Sequence, residues 1–459
     1  MSILDRERTV APAGYNRWLV PPAALAVHLS IGQVYAYSVL KDALRESFDA
    51  SNTQIGVIFS ISIVMLGLSA AFGGRWMEKH GPRKTMVISA AAWVSGFALA
   101  ALGVSVGQLW VVYVGYGVVG GIGLGLGYIS PVSTLIKWFP DRPGLATGLA
   151  IMGFGGGALL AAPLSQFLLD FYGNGVEADG LVGTYLTLGA IYAVLMLLGA
   201  AVIRVPEKGW KPEGWVPKQH GKALSSGGQV SAKNAIKTLP FWLLWVVLFT
   251  NVTAGIGILE NAKPMVEDYF PAVSAAAAAG FVGLLSLANM GGRIGWSSFS
   301  DVIGRKATYM MYLGVGAVAY AGVAFFGPVA IGLFVPLVVL IITFYGGGFS
   351  TIPAYLKDVF GEFEVGAIHG RLLTAWSAAG VAGPLIINSV IDALEAQGLE
   401  GADLYRPSML VMAGILVVGF VANLLVRPVA AKWHEKPAAP APVADDASEQ
   451  PLVAATKEV

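Results

Sequence analysis

Long apolar runs separated by short polar breaks dominate this chain. A membrane-spanning helix needs about 20 consecutive, mostly apolar residues. Runs of that kind recur near 18–40, 54–76, 85–104, 108–135, 144–170, 183–204, 239–262, 275–299, 307–326, 329–352, 367–391 and 408–427. The pattern predicts an all-α polytopic membrane protein with twelve transmembrane helices. Ser51-Asn52-Thr53-Gln54 has the spacing of a capping box and predicts the start of the second helix. The stretch Met1–Arg17 is polar and charged, and no signal peptide is expected there. Residues 205–237 are polar and rich in Gly, Lys and Ser, and they divide the spans six and six. The expected organisation is an N-terminal segment 1–17, a six-helix bundle 18–204, a linker 205–237, a second bundle 238–428 and a disordered tail 429–459.

Composition narrows the class. Of 459 residues, 12% are charged and 56% apolar, against roughly 25% charged in soluble domains, which excludes an ordinary soluble enzyme and a disordered protein. A net charge of +1 provides no field for a polyanion, so no nucleic-acid partner is expected. With no cysteine there is no disulfide frame, thiolate metal site or cysteine nucleophile. Basic residues fix the expected orientation. With the N-terminus inside, the inner segments hold Arg6, Arg8, Arg17, Arg75, Lys79, Arg83, Lys84, Lys137, Arg142, Arg305, Lys306, Lys357, Arg371 and the basic linker. The outer segments hold Lys41, Arg45, Lys263 and Arg406. Both termini are therefore expected in the cytoplasm, at an inner or plasma membrane.

The halves repeat one another. Glu78, Gly81 and the Arg83-Lys84 pair recur as Asp301, Gly304 and the Arg305-Lys306 pair, with an offset of 223 between the acids. Pro131, Gly144 and Gly148 recur as Pro353, Gly366 and Gly370. These two acid-x-x-Gly loops resemble the signature loop of the major facilitator superfamily. The resemblance covers about residues 16–428 and implies two pseudo-symmetric six-helix bundles around a central cavity, working by alternating access. Glu78, Arg83, Asp301 and Arg305 become candidates for a gating latch. Glu78 replaces the usual Asp, and Ser297 stands where the second copy usually opens with Gly.

A narrower resemblance rests on Asn16-Arg17-Trp18-Leu19, Gly32 to Val39, Gly127 to Pro131, the run Lys137-Trp138-Phe139-Pro140-Asp141-Arg142-Pro143-Gly144, and Asn289-Met290-Gly291-Gly292-Arg293. Together these look like the oxalate/formate antiporter family, which is similar to the monocarboxylate transporters. That resemblance implies small carboxylate anions as substrates, held by the arginine at the position of Arg293, and aromatic cavity residues on the spans that carry Tyr35 and Tyr128. It also implies a lysine in span eleven of oxalate exchangers; here Trp376 stands at that place. One cation suits one carboxylate, so a monocarboxylate is favoured over oxalate.

The residues themselves lead the same way. Arg293 lies eight residues before Asp301, about 12 Å into a core of roughly 30 Å. A charge there costs about 2.5–3.5 kcal/mol on insertion scales, and its planar fork matches a carboxylate. The alternative role is to brace Asp301. Asn289 lies one turn earlier on the same face. Tyr35, Tyr128, Phe344 or Tyr345, Gln33 and Trp376 are further substrate-binding candidates, each with helix packing as the competing role. Glycines 117, 121 and 125 and their neighbours read as close helix packing rather than as a phosphate loop. His28, in the middle of span one, is the candidate for proton coupling. Glu260, Asp392 and Asp170 fall near span ends, so no carboxylate is expected at mid-depth.

The resulting expectation is a secondary carrier for a small monocarboxylate of formate, lactate or pyruvate size. Its partners are that anion, a proton and the lipid bilayer. It acts as a monomer, with no cofactor, metal or enzymatic activity. An oxalate/formate exchanger and a non-transporting membrane sensor stand as the alternatives.

Overall fold

The computed structural model describes residues 4–139, 143–207, 210–214, 229–361 and 364–435. Twelve helices among them are long and apolar enough to cross a membrane. The first six are α1 (Arg17–Val39), α2 (Asn52–Gly73), α3 (Pro82–Ser105), α4 (Leu109–Leu135), α5 (Ile151–Gly173) and α6 (Glu177–Val202). The second six are α7 (Leu239–Tyr269), α8 (Ala275–Ile303), α9 (Arg305–Val329), α10 (Ile331–Phe360), α11 (Val365–Glu395) and α12 (Gly401–Leu425). The expected count of twelve is met. The largest boundary difference lies in α10, which continues to Phe360; among the others, α7 continues to Tyr269. Apolar counting stops at polar residues that a helix can carry once packing buries them.

Local chemistry sets the starts and bends. The Ser51 hydroxyl accepts from the Gln54 amide at 3.2 Å and the Gln54 side chain accepts from the Ser51 amide at 2.9 Å, so the capping box forms. After Ile31, α1 tightens into a 3₁₀ helix over Gly32–Val39, and α4 widens into a π turn over Tyr113–Gly120. Prolines 131, 163, 264, 336, 353 and 384 lie within helices, as membrane spans tolerate when neighbours pack around them.

The halves meet along α2 with α11 and along α5 with α8, and the inner part of the seam is completed by α1 and α7. An offset near 223 maps the first of these pairs onto the second, as a pseudo-twofold axis requires. The repeat also reappears as a shared capping device. Arg83 donates to the carbonyls of Ala200 (3.2 Å) and Ile203 (3.3 Å) at the end of α6, and Lys306 donates to those of Leu424 (2.8 Å) and Val426 (2.9 Å) at the end of α12. Cations there complement the C-terminal helix dipole.

One face carries the N-terminal segment, the linker and the C-terminal segment, and is called the terminal face below. Val10 bridges Val205, and the Glu435 amide donates to the Gln229 carbonyl at 2.7 Å. Residues 429–435, expected in the tail, are thus held against the linker; the remainder of the tail lies outside the described residues.

Candidate functional site

Arg293 stands ten residues before the end of α8, about 15 Å along the helix. It is 1% exposed. Its Nε donates to Asn289 Oδ1 at 3.0 Å, one turn back on the same helix, and its Nη1 donates to the Ile151 carbonyl of α5 at 3.4 Å. The guanidinium lies 5.3 Å from the Phe349 ring and 6.0 Å from that of Phe154. Gly155 makes this approach feasible, because a Cβ there would sit 2.8 Å from Arg293 Nε. Ser286 pins the crossing of α5 and α8 by donating to the Gly155 carbonyl at 2.7 Å.

This polar group is incompletely satisfied. Arg293 Nη2 and Asn289 Nδ2 are buried without an acceptor, and no carboxylate pairs with Arg293 among the described residues. Leaving a buried donor unpaired costs about 1–3 kcal/mol, and more for a charged one. The arrangement is therefore short of an anionic acceptor, and a small carboxylate supplies two oxygens of the right geometry.

Aromatic side chains from both halves enclose it. Tyr35, Tyr128 and Phe154 come from the first half, and Tyr345, Phe349 and Trp376 from the second. The Tyr35 and Tyr345 hydroxyls lie 2.8 Å apart and join the halves. Trp376 packs edge-on against Phe349 (4.6 Å), Tyr128 (5.7 Å) and Phe154 (5.9 Å), and its indole N–H has no acceptor.

The sequence candidates divide accordingly. Arg293, Asn289, Tyr35, Tyr128, Tyr345 and Trp376 converge. Phe344 does not: it packs on Trp296 (5.2 Å) and Tyr312 (5.6 Å) inside the second half. Adjacent helical residues point about 100° apart, so only one of Phe344 and Tyr345 can face the seam. Gln33 also turns away, accepting from the Tyr116 hydroxyl at 2.9 Å within the first half. His28 stacks behind Tyr128, 5.7 Å between ring centres, and its Nε2 donates to the Tyr128 carbonyl at 3.1 Å. It braces α1 against α4. Phe154 and Phe349 were not anticipated; each lies beside consecutive glycines that the sequence presents as a packing motif.

The latch candidates bond within their own halves. Arg305 pairs with Asp301 and lies 3.8 Å from Asp358, while Arg83 caps α6. The Glu78 side chain lies outside the described residues. Glu260 corrects an expectation. It is fully buried, nine residues before the end of α7, and pairs at 3.4 Å with Lys41, which is also fully buried and was expected in an outer loop. A carboxylate counted as near a span end becomes interior because α7 continues to Tyr269 and the halves close over it.

Comparison with known proteins agrees with this architecture. The family model described as Major Facilitator Superfamily matches residues 23–384. The chain is similar to the oxalate:formate antiporter of Oxalobacter formigenes, 28% identical over 80% of this chain and 83% of that protein. It is similar to monocarboxylate transporter 2 of Meriones unguiculatus, 23% identical over 93% of this chain and 87% of the other. Among solved structures, a bacterial homolog of the human lysosomal transporter Spinster superposes with a TM-score of 0.71. It is 16% identical, with 93% of this chain and 100% of that one covered. At that identity the likeness concerns the fold alone.

Proposed function

Because this chain belongs to the Major Facilitator Superfamily, and is thus a multi-pass membrane transporter rather than an enzyme, we propose that it carries a small monocarboxylate by alternating access. The observation behind this reading is the buried Arg293–Asn289 pair, whose two unpaired donors lie within an aromatic enclosure. A carboxylate of formate, lactate or pyruvate size satisfies Nη2 and Nδ2. Phe154, Phe349 and Trp376 exclude water and strengthen the pairing. The basic residues concentrated on the terminal face support a cytoplasmic assignment for both termini. The carrier functions as a monomer, because each chain holds both halves of the site.

A second reading, exchange of oxalate for formate, is favoured by the similarity to the Oxalobacter protein. It calls for another cation beside the substrate, and Trp376 fills the flank beside Phe154 and Phe349. Counterflow in proteoliposomes loaded with formate, lactate, pyruvate or oxalate separates the two. Exchange of monocarboxylates without oxalate supports the first reading; rapid oxalate exchange with no monocarboxylate uptake overturns it.

A further inference from the structure

The face opposite the termini is closed by a plug and socket. Lys41, just beyond α1 in the first half, inserts its ammonium among Glu260 and Asn261 of α7 and Asn388 of α11, all four being buried. It donates to both asparagine Oδ1 atoms, 2.8 Å in the case of Asn388, and lies 3.4 Å from Glu260 Oε1. Asn261 and Asn388 each turn an Nδ2 donor onto Glu260 Oε2, at 2.6 and 3.1 Å. The ammonium thus has two hydrogen bonds to amide oxygens and an ion pair with Glu260. Gly56 of α2 completes the fit, since a Cβ there would collide with Asn388 Nδ2 at 2.1 Å.

From this geometry we infer that Glu260 is a proton-binding site whose occupancy opens this face. With Glu260 ionised, the socket neutralises Lys41 and the face is held shut. A proton on Glu260 removes the counter-charge paired with Lys41, leaving a buried ammonium among neutral amides. A buried charge stripped of its partner is strongly unfavourable, so Lys41 withdraws to water and the halves part.

The groups facing Glu260 are Lys41 and Tyr37 from the first half and the two asparagines from the second. Neighbouring charged contacts are separate: Asp392 caps α2 at Asn52 and Thr53, Arg45 pairs with Glu395, and Lys263 with Glu177. Asp42, next to Lys41, has its carboxyl pushed up by burial, against the pull of Lys263, Lys41 and Arg45. Protonating it relieves that burial and favours closure, so Asp42 opposes the effect assigned to Glu260.

Calling this the outer gate rests on the orientation proposed above. The test depends neither on orientation nor on substrate. The chain has no cysteine, so spin labels at the exposed positions Ser105→Cys and Gln397→Cys report separation of the halves in detergent, without substrate. Lowering the pH from 8 to 5 should lengthen the distance in the parent protein. E260Q should be open at both pH values, its open-to-closed ratio raised on the order of a hundredfold. K41M should reverse the sign, with acid now closing the face, because a neutral Glu260 buries more easily than an unpaired carboxylate. The double variant K41M/E260Q should be closed and insensitive to pH. If E260Q does not fold, the sign reversal in K41M and the pH-insensitive double variant carry the test. An unchanged pH response in E260Q, acid opening in K41M, or acid opening in the double variant overturns the inference.

Discussion

Two fully buried cations lie along the seam between the halves, in opposite states. Lys41 donates to two asparagines and pairs with the carboxylate of Glu260, all three fixed by α7 and α11. Arg293 binds one asparagine and one carbonyl and leaves Nη2 unpaired. Both charges carry the cost of burial. In the first case the protein itself supplies the counter-charge, so the contact holds two halves together. In the second the counter-charge is missing, so the site gains most when an anion arrives. Burial of a charge therefore does not distinguish a latch from a binding site; whether the protein itself supplies the counter-charge does.

The largest effect that bears on this contrast is expected from Arg293→Ala. Substrate-dependent uptake should fall by at least about a hundredfold, consistent with loss of a buried charged partner. Thermal stability should hold or rise, because a desolvated, unpaired charge has been removed. Stabilisation by carboxylates that persists in a well-folded Arg293→Ala protein would break the comparison. Arg293→Lys, which keeps charge without the fork, should retain only partial binding in the same assay.

Lys41→Met should show the opposite pattern. Truncating one member of a buried pair costs about 3–5 kcal/mol, so the melting temperature should drop while candidate carboxylates still raise it. Adding Glu260→Gln should recover most of that loss. A double variant as unstable as Lys41→Met would mean that the pair is not the source of the stability.

Gly155→Ala puts a methyl 2.8 Å from Arg293 Nε, closer than the two can lie. The displaced guanidinium should weaken carboxylate affinity by about ten- to a hundredfold, read from concentration-dependent thermal shifts, with expression little changed. Parent-like affinity would show that Arg293 is not held by this contact. Trp376→Lys adds a second cation beside Phe349 and Phe154; monocarboxylate uptake should weaken several-fold, and oxalate should become a competitor in counterflow. Absence of any change in the mono- to dicarboxylate ratio would remove Trp376 from the site. The smallest effect belongs to Phe344→Leu, which should leave affinity within about twofold, because Phe344 packs on Trp296 and Tyr312. A large loss would put Phe344 back among the substrate contacts.

The features already legible along the chain follow from local physics. Bilayer thickness sets the length of each apolar run, so the number of spans was legible without a fold. The capping box at Ser51 needs only neighbouring residues, and the repeat of acid, glycine and basic pair is a chemical pattern that both halves use to cap their last helix. Arg293 was legible because a guanidinium at that depth is costly wherever its partners lie. Tertiary structure alone decided which partners exist. Lys41 and Glu260 lie in different halves, and nothing along the chain marks them as a pair; α7 had to continue to Tyr269 and the halves had to close before either was interior. The choice of Tyr345 over Phe344, the retreat of Gln33 and His28 into the first half, and the arrival of Phe154 and Phe349 beside Arg293 depend on how each helix is rotated about its axis. In a membrane that rotation is set by close packing against neighbouring helices rather than by an apolar stripe, since the lipid side is as apolar as the core, and hydrophobic periodicity carries little of it.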